Sequence, residues 1–169
     1  MKVREAGTVQ ENQENTGLLS VRRMRTEDSM ALEALERLCF SDVWHAGTWE
    51  KMAQNGLDEV WLLEDQKGVL CGYINYRFLA GEGELMRIAV HPSARGRGYA
   101  RKLMAQMEKA ATQNEVRNLT LEVRAGSHAA IKLYKSYGFE CEAVRKAYYR
   151  EPVEDALIMW RRQHERITT

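Results

Sequence analysis

The order of apolar patterns along the chain predicts one α/β domain built around a sheet of mixed strand direction. Three observations lead there. Strand-like and helix-like stretches follow one another as β-α-α-β-β-β-α-β-α-β-β. Two strand-helix-strand units, which call for crossover connections, sit among strands that follow each other closely enough to form hairpins. The 169 residues, 44% of them apolar, fall within the usual size of a single globular domain and suffice for one sizeable core.

Met1 to Gly17 is rich in Glu, Gln, Asn and Thr and has no apolar periodicity. Such a segment cannot bury enough surface to offset the cost of ordering it, so residues 1–17 are expected to form a flexible tail and 18–169 the domain. Leu18 to Met24 reads as the first strand. Thr26-Glu27-Asp28 then opens a helix with a capping side chain and an acidic first turn, and Leu32, Leu35, Leu38 and Cys39 mark its apolar face. A second short helix runs from Thr48 to the helix-ending pair Asn55-Gly56, with Phe40 to Gly47 as the connection. Val60 to Leu63 and Val69 to Phe78 are strands joined by Asp65-Gln66-Lys67-Gly68, a hairpin-turn composition. Glu84 to Val90 is a further strand that His91-Pro92 ends, since proline cannot continue a ladder. From Tyr99, the residues Ala100, Leu103, Met104, Met107, Ala110 and Ala111 repeat with helical spacing and give the strongest helix in the chain. Leu119 to Val123 (strand), Ala129 to Tyr137 (helix), Phe139 to Arg145 and Ala156 to Trp160 (strands) complete the order.

Several function classes are excluded early. Lys and Arg number 25 against 24 Asp and Glu, so no global field draws the protein to nucleic acid or an anionic membrane. Apolar runs are far shorter than the ~20 residues a spanning helix needs, and the N-terminus lacks a signal-peptide core; a soluble, cytoplasmic protein is expected. Cys39, Cys71 and Cys141 are odd in number, far apart and flanked by apolar residues, which fits reduced, buried thiols. His45, His91, His128 and His164 show no metal-ligand spacing, and no metal is expected.

The chemistry centres on the segment Leu85 to Arg101, a strand, a short loop and a helix. Glycines in the loop let the backbone approach a ligand closely. The first helical N–H groups lack internal partners and the helix dipole adds positive charge, so a pyrophosphate fits there. Arg95, Arg97 and Arg101 add further charge. A P-loop is excluded because no Gly-Lys-Ser/Thr follows. On the loop alone, a glycine-rich turn with solvated arginines is the favoured account.

With its neighbours, the loop resembles the GNAT acyltransferase superfamily. That family's fingerprint Arg/Gln-x-x-Gly-x-Gly/Ala is met by Arg95, Gly98 and Ala100, after a strand that ends in Val90 before Pro92. A tighter resemblance continues through Leu121-Glu122-Val123-Arg124, Ala129-Ala130-Ile131, Leu133-Tyr134, Tyr137-Gly138-Phe139, Arg145-Lys146-Ala147-Tyr148-Tyr149 and Glu154-Asp155-Ala156. These are similar to the bacterial ribosomal-protein-alanine N-acetyltransferases and related protein N-terminal acetyltransferases. The resemblance covers Val21 to Trp160. It implies a mostly antiparallel sheet with helices on both faces, acetyl-coenzyme A as co-substrate, and a protein or peptide N-terminus as acceptor.

The resemblance also implies roles. Backbone N–H groups of Gly96, Arg97, Gly98, Tyr99, Ala100 and Arg101 would hold the coenzyme A pyrophosphate. Ile88, Ala89 and Val90 would pair with the pantetheine arm, and amides near them would bind the thioester oxygen. Ser127 stands where the family usually has asparagine, keeping the N-cap position with a shorter reach toward coenzyme A. Alternation along Leu119 to Val123 puts Thr120 and Glu122 on the face opposite Leu119, Leu121 and Val123. Glu122 would be the general base and Tyr134 the general acid toward the departing sulfur. Phe40, Trp44, Tyr148 and Tyr149 would wall the acceptor groove, the last two at a strand-to-strand turn. Phe40 to Trp44 lacks the family's proline-tryptophan pair and Arg150 to Val153 is short, so the acceptor stays open. An α-amine at a protein N-terminus leads, a lysine or small amine is the alternative on the same scaffold, and a non-catalytic acyl-coenzyme A binding module is a third.

Overall fold

The computed structural model describes residues 19–162, and the expectation for Met1 to Gly17 lies outside them. The observed elements follow the expected order: β1 (Ser20–Arg23), α1 (Ser29–Cys39), α2 (Ala46–Gln54), β2 (Asp58–Glu64), β3 (Leu70–Leu79), β4 (Glu82–Val90), α3 (Tyr99–Gln113), β5 (Asn118–Arg124), α4 (His128–Ser136), β6 (Glu140–Arg150) and β7 (Val153–Arg162). A 3-10 turn, Thr26–Asp28, precedes α1; there the Asp28 carboxylate accepts from the Arg25 N–H at 2.7 Å and is gripped by the Arg22 guanidinium. The β2–β3 hairpin closes as its composition implied, with Asp65 Oδ1 accepting from the Lys67 and Val69 N–H groups at 2.8 and 2.9 Å.

The seven strands form one sheet in the order β1-β2-β3-β4-β5-β7-β6. Every neighbouring pair is antiparallel except β4 with β5, which α3 connects as a crossover. Period-2 alternation then sorts side chains to two faces. One face packs Leu85, Leu119 and Leu121 against Leu103, Met104 and Met107 of α3, all buried. The opposite face packs Val60, Leu62 and Tyr73 against Leu32 and Leu35 of α1 and Trp49 of α2.

Four expectations need correction. The stripe of α1 that turns inward is Leu32, Leu35 and Glu36, whereas Leu38 is 56% exposed; helical spacing admits Glu36 at i+4 from Leu32, and its charge is neutralised inside. Strands β6 and β7 run well beyond Phe139–Arg145 and Ala156–Trp160, so Tyr148 and Tyr149 lie within β6 and not at the turn. The three thiols are free, but Cys39 and Cys71 are half-buried and Cys141 is exposed. Ser127 stands at the N-cap of α4 without a side-chain capping bond.

Parallel pairing of β4 with β5 runs only from Glu82↔Asn118 to Leu85↔Leu121. Just beyond it, the β3–β4 register jumps from Tyr76↔Leu85 to Asn75↔Arg87, leaving Met86 as an extra residue. A bulge bends and twists its strand, and here β4 continues to Val90 along β3 while β5 continues to Arg124 along β7. The two strands separate into a wedge. Gly72 of β3 lets the β4 lip sit close, for a Cβ there would meet the Ala89 carbonyl oxygen at 2.6 Å. Gly72→Ala is therefore expected to cost about 1–3 kcal/mol, read as a lower urea midpoint at unchanged m-value.

Candidate active site

The wedge opens into a cleft of about 790 Å³. Its walls are Ile88 to Val90 of β4, the loop and first turn around Arg95 to Arg101, Gly126 to Tyr134 before and along α4, and Cys39 with Phe40. Gly96 and Gly98 both have φ of +76°, the left-handed region that glycine enters without penalty. The N–H groups of Tyr99, Ala100 and Arg101 come before the first intrahelical donor, Lys102, which bonds the Gly98 carbonyl at 3.2 Å. They are free to meet an anion at the positive end of α3.

The three arginines differ. Arg95 braces the loop against β4, its Nε donating to the Val90 carbonyl at 3.1 Å. Arg101 ties α3 to α4 through Ser136 Oγ at 3.2 Å. Arg97 is exposed and is not part of the cleft wall. Facing the loop, His128 and Lys132 of α4 also line the cleft. Sequence reasoning weighed His128 only as a metal ligand and gave Lys132 no role, although their i, i+4 spacing puts both on one helical face. Ile88, Val90 and Leu133 add apolar wall to the same cleft. A lining both basic and apolar suits a long ligand with an anionic head and a less polar arm, and coenzyme A is of that kind.

Tyr134 also lines the cleft, 6% exposed, with its ring centroid 6.2 Å from that of Phe139. Burial pushes the phenol well above its usual pKa, with Tyr149 as a lesser cause, so Tyr134 stays protonated at neutral pH.

Glu122 projects from the other face of the sheet, as alternation implied. It is half-buried and its carboxylate meets Arg145 Nη1 at 2.6 Å. Tyr149, held up in pKa by burial and then by the Glu122 carboxylate, stands within electrostatic reach of Glu122 and of Tyr134. Its ring covers the Arg124 guanidinium at 4.0 Å, and Tyr148 meets it edge-on with centroids 5.2 Å apart. What turns Tyr149 inward is a wide bulge. Register jumps from Arg145↔Ala156 to Tyr149↔Glu154, Ala147 takes φ of +49°, and the Asp155 carboxylate accepts from the Ala147 N–H and from Lys146 Nζ, each at 2.9 Å. Those donors hold the Asp155 carboxyl below its ordinary pKa.

The loop between α1 and α2 closes this side. Ser41 Oγ donates to the Glu151 carbonyl at 2.8 Å, joining the loop to the β6–β7 turn. Phe40 faces the cleft, whereas the half-buried Trp44 is not part of its wall and packs on Trp49 with centroids 5.3 Å apart. Both rings also flank Arg87. Arg87 and its partner Glu36 escaped sequence reasoning. The available signal was a lone acidic residue inside the apolar stripe of α1.

Residues 29–139 match the model of the acetyltransferase (GNAT) family. A Bacillus subtilis protein provisionally named ribosomal protein bS18-alanine N-acetyltransferase is 31% identical over 142 residues, covering 83% of this chain and 93% of that protein. The ribosomal protein bS18-alanine N-acetyltransferase of Escherichia coli K12 is 35% identical over 96 residues, 56% of this chain and 65% of that protein. The crystal structure of the Escherichia coli ribosomal-protein-S18-alanine N-acetyltransferase superposes with a TM-score of 0.79 at 27% identity, covering 90% of this chain and all of that one.

Forcing an L side chain into the left-handed backbone at Gly98 costs roughly 1–2 kcal/mol. Gly98→Ala is expected to weaken coenzyme A binding ~10-fold by calorimetric titration. Arg97→Ala, away from the cleft wall, is expected to stay within about 2-fold.

Proposed function

The chain belongs to the acetyltransferase (GNAT) family, and from that premise we propose that it transfers acetyl from acetyl-coenzyme A to the α-amine of a protein N-terminus. The acceptor we infer is the terminal alanine of a ribosomal protein, the substrate named for its relatives in Bacillus subtilis and Escherichia coli. The observation that carries this reading is the wedge itself, which has a phenol on its cleft side and a carboxylate on the opposite side of the sheet.

Bound acetyl-coenzyme A supplies an activated acyl group as a thioester. The chain supplies the rest. N–H groups from Gly96 to Arg101 bind the pyrophosphate, with Arg95 fixing the loop and Arg101 fixing α3 to α4. Ile88 to Val90, unpaired toward β5, offer strand hydrogen bonds to the pantetheine arm and a fixed amide dipole to the thioester oxygen. Ser127, His128 and Lys132 border the same cleft from α4. Glu122 accepts the proton of the attacking amine, directly or through water, once the amine displaces Arg145 from its carboxylate. Tyr134, kept neutral by burial, presents its O–H to the departing sulfur. Phe40, Tyr148 and Tyr149 border the route of the incoming chain, and Trp44 backs it from behind.

An α-amine suits a single carboxylate base. Its pKa is near ~7.8 against ~10.4 for lysine, so deprotonating lysine at neutral pH costs about 3.5 kcal/mol more. The junction of Ser41 with Glu151 also narrows the acceptor side, which fits an extended terminus entering end-on.

Mass spectrometry after incubation with acetyl-coenzyme A and peptides beginning with alanine is expected to show label on the free α-amine and none on α-blocked peptides. Label confined to lysine or to small amines would overturn the acceptor assignment. Glu122→Gln and Tyr134→Phe are each expected to lower kcat by ~10-fold or more while coenzyme A binding persists; unchanged turnover would remove those two roles.

A further inference from the structure

The most elaborate polar cluster among the described residues lies outside the cleft, where α1 meets β4. Glu36 is fully buried, and its carboxylate accepts from the Tyr73 hydroxyl, the Trp44 N–H at 3.1 Å and Arg87 Nη1 at 2.7 Å. Arg87 lies between two aromatic faces, 4.4 Å from the Phe40 ring centre and 4.2 Å from that of Trp44. It also donates to the Asp42 carbonyl at 3.0 Å and the Asp42 carboxylate at 2.9 Å. Asp42 in turn stands 4.0 Å from Arg124 Nη2, and the same nitrogen donates to Ser41 Oγ at 3.2 Å. Residues 40–44 are thus tied to β4 by Arg87 and to β5 by Arg124, one tie on each lip of the wedge.

A buried ion pair is about neutral for stability compared with apolar packing of the same volume, so adhesion alone does not explain this cluster. Fixed geometry does. Two stacked faces and a fork of hydrogen bonds leave the guanidinium one orientation, and the loop must follow it. Lysine offers neither the planar stack nor the fork.

We propose that Arg87 is a positioning residue for the acceptor: through Glu36, Asp42 and the Phe40–Trp44 sandwich it holds residues 40–44 as a pre-formed wall of the acceptor entrance. This rests on the acetyl-transfer reading above for what enters there. Arg87 is not part of the cleft wall, so its influence on the acetyl donor is indirect and small.

Two measurements on the full chain test it. Hydrogen exchange without any acceptor, comparing wild type with Arg87→Gln, Arg87→Lys and Asp42→Asn, reads the loop itself. Protection over residues 40–44, the Trp44 amide above all, is expected to fall ~10-fold or more in Arg87→Gln while α3 and β5 keep theirs. Steady-state kinetics on a peptide with a free terminal alanine reads the consequence. Arg87→Gln is expected to raise acceptor KM ~10-fold with kcat within about 3-fold and coenzyme A affinity within about 2-fold. Arg87→Lys is expected to recover only part of the loss. Asp42→Asn, which cuts a half-exposed tie and leaves Glu36 paired, is expected to move KM in the same direction by about 3-fold, and it carries both measurements if Arg87→Gln does not fold. Unchanged exchange or unchanged KM in a folded variant overturns the proposal, as does a loss of coenzyme A affinity that matches the rise in KM. Should the wild type acetylate no peptide α-amine, the acceptor assignment fails, and the same KM comparison is made with the amine it does acetylate.

Discussion

Everything at this site depends on two strands giving up each other's company. Parallel strands normally satisfy their backbone groups pairwise, and unpaired buried N–H and C=O groups are costly. Here β4 and β5 share only the ladder from Glu82 to Leu85 with Asn118 to Leu121 and then diverge. The extra residue Met86 turns β4 aside, and β3 and β7 continue to satisfy the outer edge of each strand. The inner edges are left for a ligand. The cleft follows from that divergence, while alternation along β5 sets the Glu122 carboxylate on the face opposite Leu121 and Val123.

A sheet opened in this way needs struts, and the chain provides them largely as charge. Glu36, Arg87, Asp42, Arg124 and Glu154 alternate in sign across α1, β4, the α1–α2 loop, β5 and β7. Between Arg124 and Glu154 the separation is 3.8 Å and between Arg124 and Asp42 it is 4.0 Å, so these outer links are loose and partly solvated, whereas Glu36 with Arg87 is tight and enclosed. Energetic weight therefore concentrates at the β4 end. Burial places the Tyr73 phenol well above its ordinary pKa, with the Glu36 carboxylate as the next cause, so it remains a hydrogen-bond donor to that carboxylate.

Most of the architecture was legible in the amino-acid order. The repeat from Ala100 to Ala111 has the spacing of a helix on a sheet, and the loop before it has the composition of a tight, basic, glycine-bearing helix start. Other features were hidden for definite reasons. Apolar pattern assigns Leu38 to the inner face of α1, because the pattern cannot know that Arg87, fifty-one residues away, neutralises Glu36. Alternation predicts where a strand's side chains point but not where pairing stops, so the wedge was invisible. The pattern places Tyr148 and Tyr149 at a turn because a bulge of this size resembles an interruption of the strand. The three arginines of the loop look equivalent in sequence, and only their partners in space separate Arg95 and Arg101 from Arg97.

The bulge of β6 also bears on how the molecule behaves in a crowd. Strand β6 is the last in the sheet order and is exposed almost throughout, with Val144 and Tyr148 among its apolar side chains. A straight strand in that place would be a template on which a neighbouring molecule could add its own. By looping out Lys146 to Tyr148, with the Ala147 N–H donated to Asp155, the chain interrupts the regular ladder of this edge strand and places a lysine there. The same kink that turns a tyrosine inward thus keeps the rim of the sheet from recruiting strangers.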